Sequence, residues 1–227
     1  TFFLEFQPFL ASYILRNLHQ ILDNMKRLFH LPILILTILC AQSCDILESH
    51  PYDAYVRGEK NLNEKNIKLI EENLKDKKSF RIAFISDTQR WYDETEAMVE
   101  DINKRKDIDF VIHGGDISDF GATHEFIMQR DIMQHFNMPW LALLGNHDCL
   151  GTGEDVYKEV WGNPNFYFCA GNVLFICLNT NCLEYDYSEP VPDFSFLENL
   201  MKNLPKEVEK TIAVMHVPPF DMEFNNN

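Results

Sequence analysis

The stretch Phe136–Cys149, FNMPWLALLGNHDC, decides the fold. Its apolar run, Pro139–Leu144, reads as a short buried strand. The run breaks into Gly145-Asn146-His147-Asp148, a turn dense in groups that bind cations or move protons. A buried parallel strand ending in a glycine turn is where open α/β sheets place their chemistry. Asn146 brings a neutral oxygen, His147 an imidazole that titrates near neutrality, and Asp148 a carboxylate able to anchor the turn. The same four residues also suit an Asn/Asp-rich turn ahead of a helix, so their meaning depends on what accompanies them.

Two upstream stretches repeat the pattern. Arg81–Ser86 is an apolar run that ends in Asp87-Thr88-Gln89. Ile108–His113 ends in Gly114-Gly115-Asp116, with Asp119 three residues on. Three strands therefore each deliver an acid, amide or imidazole at the C-terminal end, about 30 residues apart, as successive βα units require. The intervening segments read as helices. Tyr92–Lys106 turns Met98, Val99 and Ile102 inward, and Thr123–Phe136 carries Phe126, Ile127, Met133 and Phe136 at helical spacing. His124 and His135 on the second helix read as surface or cap histidines. His113 reads as a buried, satisfied histidine, with support behind the site as its other role. Trp91 either lines a cleft or packs at its rim.

Beyond the turn, Glu154–Trp161 reads as a helix. Phe166–Ala170 and Val173–Leu178, joined by Gly171-Asn172, read as a β-hairpin, which makes the sheet content mixed. Asn179–Asn181 is placed in a loop that could touch substrate, and Glu184–Pro192 in a surface loop. Asp193–Leu204 is a helix with Asp193 as N-cap, and Lys210–His216 is the last strand. Upstream, Asn61–Asp76 is an amphipathic helix with Leu62, Ile67, Ile70 and Leu74 on one face.

The series Asp87-x-Gln89, Gly115-Asp116-x-x-Asp119, Gly145-Asn146-His147-Asp148 and His216 resembles the calcineurin-like metallophosphoesterase superfamily. That family reads D-x-H, G-D-x-x-D, G-N-H-[DE], a lone His and then G-H-x-H. The resemblance runs from Phe80 onward. Gln89 stands where the family has its first histidine, as in an exported or lipoprotein branch with a D-x-Q motif. No Gly-His-x-His follows His216, so the expectation is a domain incomplete at its C-terminus and weakly active or inactive as written.

The resemblance implies an α/β/β/α sandwich of two mixed sheets. It also implies two divalent cations (Mn, Fe or Zn), because mixed nitrogen and oxygen ligands suit all three. Asp87 and Gln89 would serve the first cation, Asn146 and His216 the second, and Asp116 would bridge. His147, with Asn146, would bind the phosphate, and His147 would protonate the leaving oxygen. Asp119 would orient and charge His147. The implied activity is hydrolysis of a phosphomonoester or phosphodiester. The competing reading is a non-catalytic envelope lipoprotein that uses the same fold as a binding module.

Composition narrows the class further. The 227 residues are 46% hydrophobic, enough for one sizeable core. Net charge is −15, which repels a polyphosphate backbone and disfavours a nuclease or other nucleic-acid partner. Residues 1–24 read as an upstream segment foreign to the fold. Residues 25–43, with Met25-Lys26-Arg27 before the apolar Leu28–Leu39, read as a signal peptide too short to span a membrane. Ala41-Gln42-Ser43-Cys44 resembles a lipoprotein box, which implies lipidation at Cys44 and an exported, envelope-anchored protein. Residues 44–79 are a tether and helix, and 80–227 the metallophosphoesterase domain. Cys149, Cys169, Cys177 and Cys182 lack zinc-type spacing; disulfides and buried thiols are both open to them.

Overall fold

The computed structural model describes residues 13, 15–20, 32, 50–184, 187–204 and 207–218. The chain divides into a unit of residues 1–50 and a unit of residues 51–227. In the first, residues 13, 15–20 and 32 are helical. The signal peptide, Pro32 apart, and Cys44 lie outside the described residues. Among the described residues no helix is long and apolar enough to cross a membrane.

The second unit runs α1 (Leu62–Leu74), β1 (Ile82–Ile85), α2 (Tyr92–Lys104), β2 (Phe110–His113), α3 (Thr123–Met133), β3 (Trp140–Ala142), α4 (Gly153–Val160), β4 (Phe166–Ala170), β5 (Val173–Leu178), α5 (Phe194–Lys202) and β6 (Lys210–Met215). Strands β1, β2 and β3 form a parallel sheet in that order. Ile85 pairs with His113, and His113 with Ala142, so all three strands end at one level. The three ligand-bearing turns therefore leave the sheet side by side. β2 is the central strand and is buried at every residue, as a parallel strand covered on both faces must be. The second sheet is mixed: β4 is antiparallel to β5, and β6 runs parallel to β5 on its other side.

The sheets pack face to face. Phe110, Ile112, Leu141 and Leu143 from the first share a core with Phe168, Ala170, Phe175, Cys177 and Val214 from the second. Phe168 stacks on Phe175 with centroids 4.8 Å apart, and Phe110 meets both edge-on at 5.8 Å. Each such ring is worth roughly 1.5–3 kcal/mol in burial alone. The opposite face of the first sheet carries α2, α3 and α4 through Val99, Phe126, Met133, Tyr157 and Trp161. On the outer face of the second sheet, Phe196 of α5 meets Tyr167 of β4. The layering is the expected α/β/β/α sandwich.

Helix α1 closes one side of the sandwich with polar side chains in place of a strand. Asn63 gives its amide N–H to Ala142 O at 2.9 Å and accepts from Ala142 N at 3.0 Å. Glu71 accepts from Cys169 N at 3.1 Å, so one helix satisfies backbone on both sheets. The chain before α1 is strapped down. Thr123 N donates to Pro51 O at 3.0 Å, Thr152 Oγ1 to Tyr52 O at 2.7 Å, and buried Arg130 to Arg57 O at 2.7 Å. On the far side, β1 and β6 are edge strands, and Phe84 and Ile212 stand exposed there.

Candidate metal centre

Several candidate ligands sit in backbone conformations that L-residues seldom adopt. Asp87, Gln89 and Asp116 have φ of 58°, 37° and 57°. A non-glycine residue in this left-handed region costs on the order of 1 kcal/mol, less for Asp than for most others. Such outliers persist only where surrounding contacts over-determine them, and they concentrate at functional sites. Here the contacts are explicit. Asp87 N donates to Gly115 O at 3.0 Å and Gln89 N to Asp116 O at 3.2 Å, which laces the first turn to the second. Gln129, fully buried on α3, donates to Thr88 O at 3.2 Å and Gln89 O at 2.7 Å.

His113, at the end of β2, is fully buried and braces the same turns. Gly115 N donates to its Nδ1 at 3.2 Å, so Nε2 carries the proton and donates to Thr88 Oγ1 at 2.9 Å. Burial pushes its pKa down to about 3, and it stays neutral. It is a satisfied core histidine behind the site, and both roles expected of it hold at once.

The second and third turns meet through two glycines. A Cβ on Gly145 would lie 2.1 Å from Asp116 N and 2.2 Å from Asp116 Oδ1. Gly115, at φ +108°, faces the Gly145 backbone from the other side. Asp148 fastens the junction. Its carboxylate, wholly buried, accepts from Ile117 N (3.2 Å), Ser118 N (2.7 Å), Ser118 Oγ (2.8 Å) and Gly145 N (2.9 Å). Burial raises its pKa to about 6, although those backbone donors pull the other way.

On this frame the ligand atoms of Asp87, Asp116 and His216 lie within 4.8 Å of one another. Two of these come from the parallel sheet, and His216 arrives from the end of β6. His216 Nδ1 donates to Gly114 O at 2.9 Å. Its Nε2 lies 3.0 Å from Asn146 Oδ1 and 3.4 Å from Asp116 Oδ1. With Nδ1 engaged by the carbonyl, Nε2 of the neutral ring is the ligand atom on offer, and together with these oxygens it makes a mixed nitrogen and oxygen set that suits a divalent cation. Gln89 flanks it, giving Nε2–H to Asp116 Oδ2 at 3.3 Å; to serve as a ligand, its amide must turn its oxygen inward.

His147 stands beside the cluster with its side chain 41% exposed. Its backbone N–H donates to Asp116 Oδ1 at 3.0 Å, and its Nδ1 donates to Asp119 O at 2.9 Å. That hydrogen bond raises its pKa, burial opposes it, and the carboxylates of Asp116, Asp119 and Asp148 add to the rise. Asp119 thus holds His147 mainly through its peptide carbonyl. Its buried carboxylate is 3.8 Å from Nδ1 and pairs with Arg90 Nη2 at 3.1 Å.

In the Asn179–Asn181 loop, Thr180 and Asn181 are 2% and 1% exposed, and Asn179 alone is half-buried and keeps accessible surface. Asn181 Nδ2 donates to Leu144 O at 2.9 Å and Thr180 Oγ1 to Val217 O at 2.7 Å, bolting the strand before the third turn to the segment after His216. Cys149, Cys169, Cys177 and Cys182 are free thiols. Sequence reading passed over Gln129, although a polar residue three after Phe126 and four before Met133, on an apolar face, was its signal. Arg90 was passed over as well.

No curated protein matches the chain. Among solved structures, a purple acid phosphatase from yellow lupin (Lupinus luteus) seeds is similar at 15% identity and a TM-score of 0.41, over 59% of this chain and 29% of that one. The chain thus spans under a third of that enzyme's length. The profile of calcineurin-like phosphoesterases matches residues 80–227, well over half of the chain and every turn described above. The chain belongs to the calcineurin-like phosphoesterase family.

Proposed function

We propose that the chain hydrolyses a phosphomonoester or phosphodiester with two divalent cations, Mn, Fe or Zn, and with His147 as general acid. The observation that carries this reading is the convergence of the Asp87, Asp116 and His216 donor atoms within 4.8 Å, with Asn146 Oδ1 3.0 Å from His216 Nε2. Two divalent cations bound there would supply charge neutralisation and a nucleophile at neutral pH.

The chain's own residues do the rest. Asp87 and Gln89 would hold one cation and Asn146 and His216 the other, with Asp116 between the two pairs. Asp116 is tied to the third turn by the His147 N–H at 3.0 Å, which fixes the spacing between that carboxylate and His147. His147 commits its Nδ1 proton to Asp119 O and leaves Nε2 for substrate. A second proton, held at Nε2 by the raised pKa, passes to the leaving oxygen. Asn146 would contact the phosphate beside it. Export through residues 25–43 and attachment at Cys44 belong to the same proposal and are checked by labelling with a lipid precursor.

Mn²⁺-dependent hydrolysis of p-nitrophenyl phosphate and bis-p-nitrophenyl phosphate tests the reading, with Asp116→Asn and His147→Ala beside the wild type. Activity lost in both variants supports it, and the preferred compound separates monoesterase from diesterase. A folded protein that binds no divalent cation sinks it. The other reading, a binding module, is favoured by Gln89, which offers an amide N–H where the family offers imidazole. The joint presence of Asp116, Asn146, His147 and His216 in one cluster weighs against it.

A further inference from the structure

Arg90 follows Asp87 and Gln89 in the turn after β1, and the mechanism above leaves it without a task. The turn holds it in place: Trp91 N donates to Thr88 O at 2.9 Å, and Gln129 holds the two carbonyls before Arg90. One guanidinium nitrogen reaches Asp119 Oδ2 at 3.1 Å; the Asp119 side chain is 5% exposed, that of Arg90 63%. An arginine needed only to neutralise a buried carboxylate would be buried with it in a two-pronged pair. Arg90 makes one contact and leaves most of its five N–H groups facing solvent.

The position of that free edge is informative. Asp119 accepts Arg90 on its carboxylate and His147 on its carbonyl, so one residue carries both groups at the mouth of the cluster. The surroundings are otherwise hostile to an anion, since Asp87, Asp116, Asp119 and Asp148 crowd the turns and the chain carries −15 overall. Among the described residues, Arg90 is the one lysine or arginine whose ion pair lies on the ligand-bearing turns. A planar guanidinium suits the oxygens of a phosphoryl group better than any other side chain.

We infer that Arg90 binds a non-bridging phosphoryl oxygen of the substrate, and of the phosphate released from a monoester. The inference rests on the phosphoesterase reading and deepens it. The test uses inorganic phosphate as the probe. Its inhibition constant, and KM and kcat for p-nitrophenyl phosphate, are measured at saturating Mn²⁺ for wild type, Arg90→Ala and Arg90→Lys. Lys68→Ala, a remote surface cation, controls for net charge.

Arg90→Ala should weaken phosphate binding and raise KM by about 10- to 100-fold, with Arg90→Lys between it and the wild type. The Mn²⁺-induced rise in melting temperature should be the same in all of them. A merely structural Arg90 would lower stability and disturb the pH profile through Asp119 and His147, yet leave phosphate affinity within twofold of wild type. That result overturns the inference and leaves the phosphoesterase reading standing. Wild-type protein that binds Mn²⁺ but neither phosphate nor substrate would overturn both. Because Arg90→Lys keeps the charge beside Asp119, it decides the matter if the alanine variant does not fold.

Discussion

Gly145→Ala is the sharpest perturbation of the metal centre, because one methyl group must enter where two turns touch. The new Cβ would sit 2.1 Å from Asp116 N, 2.2 Å from Asp116 Oδ1 and 2.9 Å from Asp116 Cα, so the turns must part by more than 1 Å. Neither can retreat freely. Ser118 N of the second turn is held to the buried Asp148 carboxylate of the third at 2.7 Å, and His147 N is held to Asp116 Oδ1 at 3.0 Å. Separation stretches both bonds beyond hydrogen-bonding range. Overpacking of this kind costs roughly 1–3 kcal/mol, and each hydrogen bond to a carboxylate adds about 1.5 kcal/mol, for a total of about 4–6 kcal/mol. At 2–4 °C per kcal/mol for a domain of this size, the melting temperature should fall by roughly 10–20 °C in EDTA. The matched control is Gly162→Ala, at φ +103° with nothing within 4 Å of its Cβ, which carries backbone strain alone. Thermal melts followed by circular dichroism, with and without Mn²⁺, make the comparison. If Gly145→Ala melts as near to wild type as Gly162→Ala does and keeps its metal response, the packing of the two turns is not what holds the site.

Three further outcomes are expected. At 100 times its dissociation constant a divalent cation should stabilise the fold by about 2.7 kcal/mol, hence a rise of roughly 5–10 °C that EDTA reverses and Asp116→Asn abolishes; an unchanged melt of the wild type with Mn, Fe and Zn alike would contradict the site. If His147 is the proposed general acid, His147→Ala should lower kcat at least about 100-fold while keeping that rise; loss of the rise would make His147 a ligand. The third concerns pH in metal-free protein. Asp148, raised from 3.8 to about 6, contributes stability that is full below pH 3.8 and lost as pH rises through 6. His113, lowered from 6.5 to about 3, contributes stability that is present above pH 6.5 and lost as pH falls toward 3. Between pH 4 and 6 the two slopes oppose each other, each about 1.4 kcal/mol per pH unit. Asp148→Asn should therefore lose about 1.4 kcal/mol more per unit of acidification than wild type in urea denaturation; parallel curves would show that Asp148 is not the compensating group.

Much of this architecture was legible because the informative residues sit where periodicity changes. Each apolar run had to stop at a polar turn, and the spacing of the stops made β1, β2 and β3 a parallel set. The hairpin of β4 and β5 was readable from its aromatic and β-branched content and from Gly171. What stayed hidden depends on distances that no linear pattern encodes. The left-handed backbone at Asp87, Gln89 and Asp116 is imposed by partners up to about forty residues away, Gln129 among them. Asp119 was expected to orient and charge His147; its carboxylate adds to the raised pKa, but its carbonyl makes the bond, and a main-chain acceptor has no signature in residue type. The Asn179–Asn181 loop was placed near substrate because it ends β5, and the backbone groups at Leu144 and Val217 that Asn181 and Thr180 serve had no mark in the sequence.

The Asp148 carboxylate has a consequence for how a cation is chosen. It bonds Ile117, Ser118 and Gly145 from within the protein, so the spacing of the second and third turns is set before any ion arrives. Filling the centre then freezes little additional chain, and affinity is not diluted by an ordering step. A centre whose two turns are held at fixed spacing would neither contract around a small ion nor widen for a large one. Mismatched radii would then lower affinity instead of rearranging a loop. The amides of Ile117, Ser118 and Gly145 should accordingly rank among the slowest to exchange with deuterium, with the same protection whichever ion is supplied.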